Sequence, residues 1–259
     1  MAARRHASTP ARVPAAGTHA KVALPDPPGP FRSRVPTVPS ARATRAAPAA
    51  SRPFDRRWLT GRERARLAPL TTPVRIQDFL TDRLSCNHEK SGDTVLSVRS
   101  VLREKHAHCI EAAFVGACCL WMNGEPPLLL DLHAEGHDYD HVVAVFRRNG
   151  CWGALSKSNH LWYRWRDPVY RSLRELAMSY FHEYVDADGT KTLRSFSVLL
   201  DLSRVDPALW ITNPGDCWEI VDLLCKLKHT RLLPPGQRRW LRPRDRLERA
   251  GNALVEYPE

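Results

Sequence analysis

Among the seven cysteines and eleven histidines of this chain, one pair is spaced for nucleophilic chemistry. Cys109 opens a predicted helix whose apolar face is carried by Ile110, Ala113, Phe114, Ala117 and Trp121. Unpaired amide groups and the macrodipole at a helix start favour the thiolate, which is the nucleophilic form of cysteine. His141 opens a predicted strand further along, where its ring can lie against that helix start. A nucleophile needs a base within hydrogen-bond reach, and the base needs a third group to orient it.

Strand parity bounds the third group. Val142 to Phe146 and Cys151 to Leu155 flank Asn149-Gly150, the strongest short hairpin signal. An even hairpin loop places Ser156 and Ser158 on the histidine's face of the sheet, whereas an odd loop or a bulge brings Lys157 or Asn159 there. Asn159 would fix a ring N–H through its carbonyl, and Ser156 would do so more weakly. The candidates are therefore Cys109 as nucleophile, His141 as base, and Ser156 or Asn159 as orienter.

Other reactive residues read more plainly. Cys118, Cys119, Cys217 and Cys225 lie inside apolar helical runs and are expected in the core, the usual place of a free cysteine. Cys151 reads as a strand residue beside the turn. His133, His137 and His141 recur every fourth residue, but Glu135-Gly136-His137-Asp138 reads as a loop, so the spacing has no helix to make the ligands converge. No metal site is expected, and no cofactor motif is present. Trp162, Tyr163 and Trp165 among Arg164 and Arg166 read as an edge segment packing its rings inward, with stacking on a ligand as the alternative. Lys157 cannot act with Ser156 as a dyad on one strand face, since neighbours point to opposite sides.

These residues need elements to position them. Periodicity predicts short helices over 55–68 and 74–84, and a further helix starting at Ser91-Gly92-Asp93-Thr94 with Val95, Val98, Val101 and Leu102 on one face. The Cys109 helix stops at Asn123-Gly124 before Pro126-Pro127. Leu128 to Leu132 reads as a buried strand, and the hairpin starting at His141 follows. An amphipathic helix is expected over 172–184, a strand from Phe196 to Leu202, and a helix from Asp216 to about Lys228.

In this order the features resemble the transglutaminase-like cysteine superfamily, the broad group sharing the papain-like core. The matching parts are Val101-Leu102-Arg103 leading to Cys109, Glu111-Ala112-Ala113 along the helix, Gly124-Glu125-Pro126 at its stop, His141-Val142-Val143, and Cys151-Trp152-Gly153-Ala154-Leu155-Ser156. The resemblance spans about residues 74–160, roughly a third of the chain. It implies an α+β fold with a papain/transglutaminase-like core, helices packed on a small antiparallel sheet. It also implies a thiol-dependent hydrolase or acyltransferase acting on a peptide, amide or ester bond through Cys109 and His141. The chain departs from the family in having Ala107-His108 where a glycine usually precedes the cysteine, and Ser156 where the triad's aspartate falls. The alternative is accordingly a catalytically inactive binding module that keeps the fold and the cleft. The Cys109 backbone N–H is the natural oxyanion donor.

Composition sets the outer bounds. With 259 residues, 43% apolar and 26% charged, the chain has the make-up of a globular protein rather than collagen or a coiled coil. Its longest apolar run, Ala112 to Met122, is too short to cross a bilayer. The net charge of +11 comes from the ends, since residues 1–52 hold nine Lys/Arg against one acid and residues 226–250 nine against two. The body is near neutral and lacks the basic stripe of a nucleic-acid-binding fold, so no nucleic-acid partner is expected. Residues 1–52, with nine prolines and Phe31 as the one aromatic, are expected to be disordered. The expected organisation is that segment, a domain over 53–232, and a loosely ordered basic tail over 233–259 after Pro234-Pro235-Gly236. An odd cysteine count without regular spacing or a leader pattern reads as reduced thiols in the cytoplasm.

Overall fold

The structure is a computed structural model that describes residues 52–89, 92–136 and 138–257. The expected disorder of the first 52 residues falls, Arg52 apart, outside them. The elements run α1 (Gly61–Leu67), α2 (Pro73–Asp82), β1 (Ser85–Cys86), α3 (Val98–Glu104), β2 (His106–Ala107) and α4 (Cys109–Met122). Then come β3 (Leu128–Ala134), β4 (His141–Arg148), β5 (Cys151–Leu155), β6 (Arg166–Tyr170), α5 (Leu173–Met178), β7 (Leu193–Ser197) and β8 (Leu200–Asp201). α6 (Trp218–Lys226), β9 (His229–Arg231) and α7 (Arg246–Asn252) complete the order.

The architecture is α+β, with helices packed on an antiparallel sheet. Six strands lie in the order β6-β5-β4-β3-β7-β9, and β8 pairs with the other end of β3. The hairpin of β4 and β5 turns through Asn149 (φ 49) and Gly150 (φ 84), the two left-handed residues of a tight loop whose twist suits its strands. Its register joins Ala144 to Leu155 and Arg148 to Cys151, as the two-residue loop requires.

The sheet buries both faces. Val142, Ala144, Phe146 and Leu155 pack against α1 to α4 and α6, while Val143, Val145 and Ala154 meet α5 and the rings of Tyr163, Tyr180 and Tyr184. α4 is apolar nearly all round and sits in the first of these cores, with Ile110 through Trp121 all buried. Gly116 brings it close to the sheet, where a Cβ would stand 3.3 Å from the Ala144 Cβ and 3.5 Å from Leu155 Cδ1.

The approach to Cys109 is tightly specified. α3 ends at Lys105, which adopts a left-handed conformation (φ 62) and redirects the chain into β2. β2 pairs in parallel with β1, placing Cys86 opposite Ala107, so the two residues before His108 are held by a neighbouring strand.

Several expectations are corrected. The helix expected from Ser91–Thr94 starts instead at Val98 under Ser97, whose hydroxyl accepts from Ser100 N at 3.3 Å; Thr94 is drawn away to Glu89 and Glu111. Residues 55–68 split into a 3-10 turn and α1, because Thr60 and Glu63 close a capping box between them. The helix over 172–184 stops at Met178, where Ser179 Oγ bonds back to Leu176 O at 2.6 Å, and the strand over 196–202 divides into β7 and β8. Cys118, Cys119 and Cys217 are buried as expected, but Cys225 is exposed.

The basic tail over 233–257 is not loose. Lys191 Nζ donates to Arg242 O at 2.6 Å, Arg244 pairs with Glu183 at 3.0 Å, and Arg238 pairs with Glu135 at 2.7 Å. Each partner lies far away in sequence, so a linear count of charges shows the excess of arginine and hides what it meets. Among the described residues no helix is long and apolar enough to cross a membrane.

Because Gly116 sets the seat of α4, Gly116→Val should overpack this contact and cost about 1–3 kcal/mol, read as a lower urea midpoint with an unchanged slope. An unchanged midpoint would show that α4 does not depend on this close approach.

Candidate active site

The site forms where α4 begins and β4 begins. Cys109 is partly buried, and its sulfur lies 3.9 Å from Asp140 O, the residue just before His141. By parity His141 belongs to the face opposite α4, beside Val143 and Val145. It reaches the thiol because it is the first residue of its strand, at the end of the sheet where α4 starts.

The partners of His141 define its tautomer. Nε2 lies 3.0 Å from Tyr163 O and 2.8 Å from Ser156 Oγ. A carbonyl oxygen only accepts, so Nε2 carries a proton, and Nδ1 is the nitrogen left to exchange a proton with the thiol. The ring is buried and packs edge-on against Tyr163 at 5.5 Å between centroids. Ser156, fully buried, is fixed in turn by Gln77 of α2: Gln77 Nε2 donates to Ser156 O at 2.8 Å, and Ser156 N donates to Gln77 Oε1 at 3.1 Å.

Of the two candidate orienters, the structure brings Ser156 to His141 and removes Asn159. The side chain of Asn159 clasps Tyr257 instead, with Nδ2 donating to Tyr257 O at 3.0 Å and Tyr257 N donating to Oδ1 at 2.8 Å. The reason is the even hairpin loop, which keeps Ser156 on the histidine's face and carries Asn159 past the end of β5.

A second imidazole, missed in the sequence, also lies beside the sulfur. His108 Nδ1 is 4.0 Å from Cys109 Sγ. Its Nε2 donates to Thr94 O at 2.8 Å and lies 3.3 Å from Glu111 Oε1 and 3.5 Å from Glu89 Oε1. Glu111 is completely buried, yet its carboxylate is well compensated. It accepts from His108 N and Leu96 N at 2.9 Å each, from Thr94 Oγ1 at 2.8 Å and from Asn87 Nδ2 at 3.1 Å. The signal was a polar residue before the helix with Glu three positions on, the spacing of a helix start. Its local role as a cap concealed its role toward the thiol.

These contacts set the charges. Burial pushes the Cys109 thiol up, but hydrogen bonds and charge from His108 and His141 outweigh it, taking the thiol from its ordinary 9.0 down to about 5. Burial pushes the His108 imidazole down; the Cys109 thiolate and Glu111 overcome this and raise it to about 11. Burial likewise pushes Glu111 up, and His108 with the backbone N–H groups of Leu96 and His108 brings it to about 2. The result is a row of alternating charge, Glu111⁻, His108⁺ and Cys109⁻, at a helix start that itself favours the anion. By contrast, burial raises the thiols of Cys86, Cys118, Cys119, Cys217 and Cys225.

His133 bonds Asp140 at 3.0 Å and does not join this group, and His137 lies outside the described residues. Among the described residues no group of three His, Cys, Asp or Glu side chains is placed to hold a metal ion. The site is thus an ionised thiol stabilised by two imidazoles, of which one is held cationic by a carboxylate and the other is held through Nε2 by the Tyr163 carbonyl and Ser156. No protein-family model matches this chain, and no curated protein matches it.

Two outcomes follow. Iodoacetamide should label Cys109 ahead of the other thiols, with a rate that rises with pH about a midpoint near 5, followed by mass spectrometry of the tryptic peptides; uniform labelling would contradict the charge pattern. The folded-state carboxyl of Glu111 is depressed, so the stability it contributes is present above its unfolded value of 4.5 and is lost as pH falls toward about 2. Glu111→Gln should flatten that acid slope, cost about 3 kcal/mol in urea unfolding by stranding the buried imidazolium, and raise the labelling midpoint of Cys109.

Proposed function

We propose that the protein is a thiol-dependent hydrolase or acyltransferase acting on an amide or ester bond, with a papain/transglutaminase-like core. The observation that carries this reading is the Cys109 thiol brought down to about 5 at a helix start, beside an imidazole whose Nε2–H is held by the Tyr163 carbonyl. The order of elements, with the cysteine helix lying on an antiparallel sheet and the histidine opening a strand, supports the same reading.

In this scheme the thiolate of Cys109 attacks the carbonyl carbon, forming the C–S bond while the carbonyl π-electrons move to oxygen. The Cys109 backbone N–H, unpaired in the first turn, donates to that oxygen. As the tetrahedral adduct collapses, the bond to the leaving amine or alkoxide breaks, and His141, whose Nδ1 took up the thiol's proton when the thiolate formed, gives that proton to the leaving group. Neutral His141 then removes a proton from water, or from an acceptor amine, which attacks the thioester. The thiolate leaves with the electron pair, and the acid or the new amide is released. His108 does not carry the proton: its pairing with Glu111 keeps it cationic, and it serves to hold the sulfur ionised. The Tyr163 carbonyl and Ser156 do the work of orientation that an aspartate does in the resembling family.

A second reading, a binding module that has lost turnover, draws on the partners of His141 among the described residues, a carbonyl and a hydroxyl where the resembling family has a carboxylate. The two readings separate in one experiment. With p-nitrophenyl acetate, the enzyme reading expects a burst of one nitrophenolate per chain followed by turnover. Cys109→Ala abolishes both, and His141→Ala lowers the turnover rate about 10²–10⁴-fold while leaving Cys109 alkylatable. Alkylation without any burst or turnover would favour the binding module.

A further inference from the structure

Lys157 follows directly on the serine that touches His141. Its side chain is 1% exposed, yet its ammonium makes no hydrogen bond among the described residues. A buried charge left without hydrogen bonds is costly, and burial lowers its pKa, with Glu256 opposing. What faces it is the segment 255–257. The Glu256 carboxylate lies 3.8 Å from Lys157 Nζ, beyond hydrogen-bond reach, and the Tyr257 ring centroid lies 5.4 Å away. Glu256 is gripped by Arg164 at 2.5 Å, and Arg164 is itself fixed by Nε donating to Ser158 O at 3.0 Å.

The segment is laid against the hairpin's exit like a short added strand. Glu256 N donates to Asn159 O at 2.9 Å, His160 bridges Val255, and the Asn159 side chain clasps the backbone of Tyr257. Two neighbouring residues connect this group to the end of the sheet where Cys109 lies. Ser156, one residue from Lys157, is on the ring of His141, and Cys86, whose thiol feels Lys157, Glu256, His108 and Cys109 alike, pairs with Ala107 just before the His108-Cys109 dipeptide.

We propose that Lys157 and Arg164 form a carboxylate-binding subsite of the Cys109 site, filled here by Glu256 as an internal stand-in for the carboxylate of an acidic acyl substrate. The proposal rests on Cys109 being the nucleophile. A basic pair of this kind selects acyl donors that carry a free carboxylate. Such a ligand can displace Glu256, because a carboxylate seated between the two cations can come within hydrogen-bond distance of Lys157 Nζ. A charge-assisted bond of that kind is about twice as strong as a neutral one, and Glu256 at 3.8 Å does not make it. Segment 255–257 is then a removable cover, and it holds the protein selective against neutral acyl groups only when it has moved.

The test uses a matched pair of alkylating agents, iodoacetyl-glycine and iodoacetyl-glycinamide, which differ only in carboxylate against carboxamide. In the full chain bearing Glu256→Gln, the carboxylate reagent should label Cys109 roughly tenfold faster, relative to the amide reagent, than in the unaltered chain, and adding Lys157→Met should abolish that gain in the ratio. As a check that does not depend on folding of the Lys157 variant, glutarate should protect Cys109 of the Glu256→Gln chain from iodoacetamide, and glutaramide should not. Equal ratios in both chains, together with no glutarate protection, would overturn the subsite while leaving the nucleophile intact. Failure of iodoacetamide to prefer Cys109 in the unaltered chain would overturn the nucleophile itself, a separately visible result.

Discussion

The buried ion pair of Glu111 and His108 is the constraint on which the site depends. A carboxylate with no solvent exposure is tolerable only because four neighbours donate to it, and together the donors fix three pieces of backbone: Asn87 after β1, Thr94 and Leu96 before α3, and His108 at the head of α4. The carboxylate therefore ties three loops around the cysteine while it fixes the charge of the imidazole beside it. The polar network that holds this end of the domain together is the same one that ionises the thiol. Removing its centre would loosen the loops and neutralise the sulfur together.

The other imidazole depends on a different set of parts. His141 comes from the sheet, and its orientation rests on the Tyr163 carbonyl and on Ser156, itself locked by Gln77 from α2. Two independent supports thus converge on one sulfur, one reaching it along the helix side and one from the strand end. A backbone carbonyl replaces a carboxylate as orienter at a chemical cost: it sets the tautomer as well as an aspartate does, but offers no full negative charge to stabilise the imidazolium that forms during proton transfer. The carboxylate in this site is set against the neighbouring histidine, His108, instead.

Much of this was legible in the sequence where local rules dominate. Cys109 at a helix start, His141 at a strand start and the Asn149-Gly150 turn are short-range signals, whereas the loop parity that carries Ser156 to the histidine's face was one of two the sequence left open. What escaped depended on pairing across long sequence distances. Nothing local marks Gln77 as the partner of Ser156 or the carbonyl of Tyr163 as the partner of His141, because a backbone acceptor has no residue type. Nothing local paired Glu111 with His108 or Lys157 with Glu256, and the arginines of the last stretch read as a loosely ordered tail, although Glu183 and Glu135 stand beside them. Helix limits were read least well where side chains compete with the helix, as Ser179 does by bonding back to Leu176 and as Thr94 does by turning to Glu111.

The account stands on the ionisation of one sulfur, and the most direct measurement is the ultraviolet absorbance of the thiolate, followed against pH as the difference between the unaltered chain and Cys109→Ala. The expected difference spectrum rises with a midpoint near 5, far below the ordinary 9.0 of a cysteine thiol. A difference that stays flat through neutral pH and rises only near that ordinary value would contradict the account, because the thiol would then be neutral and the two imidazoles beside it would have no charge to serve.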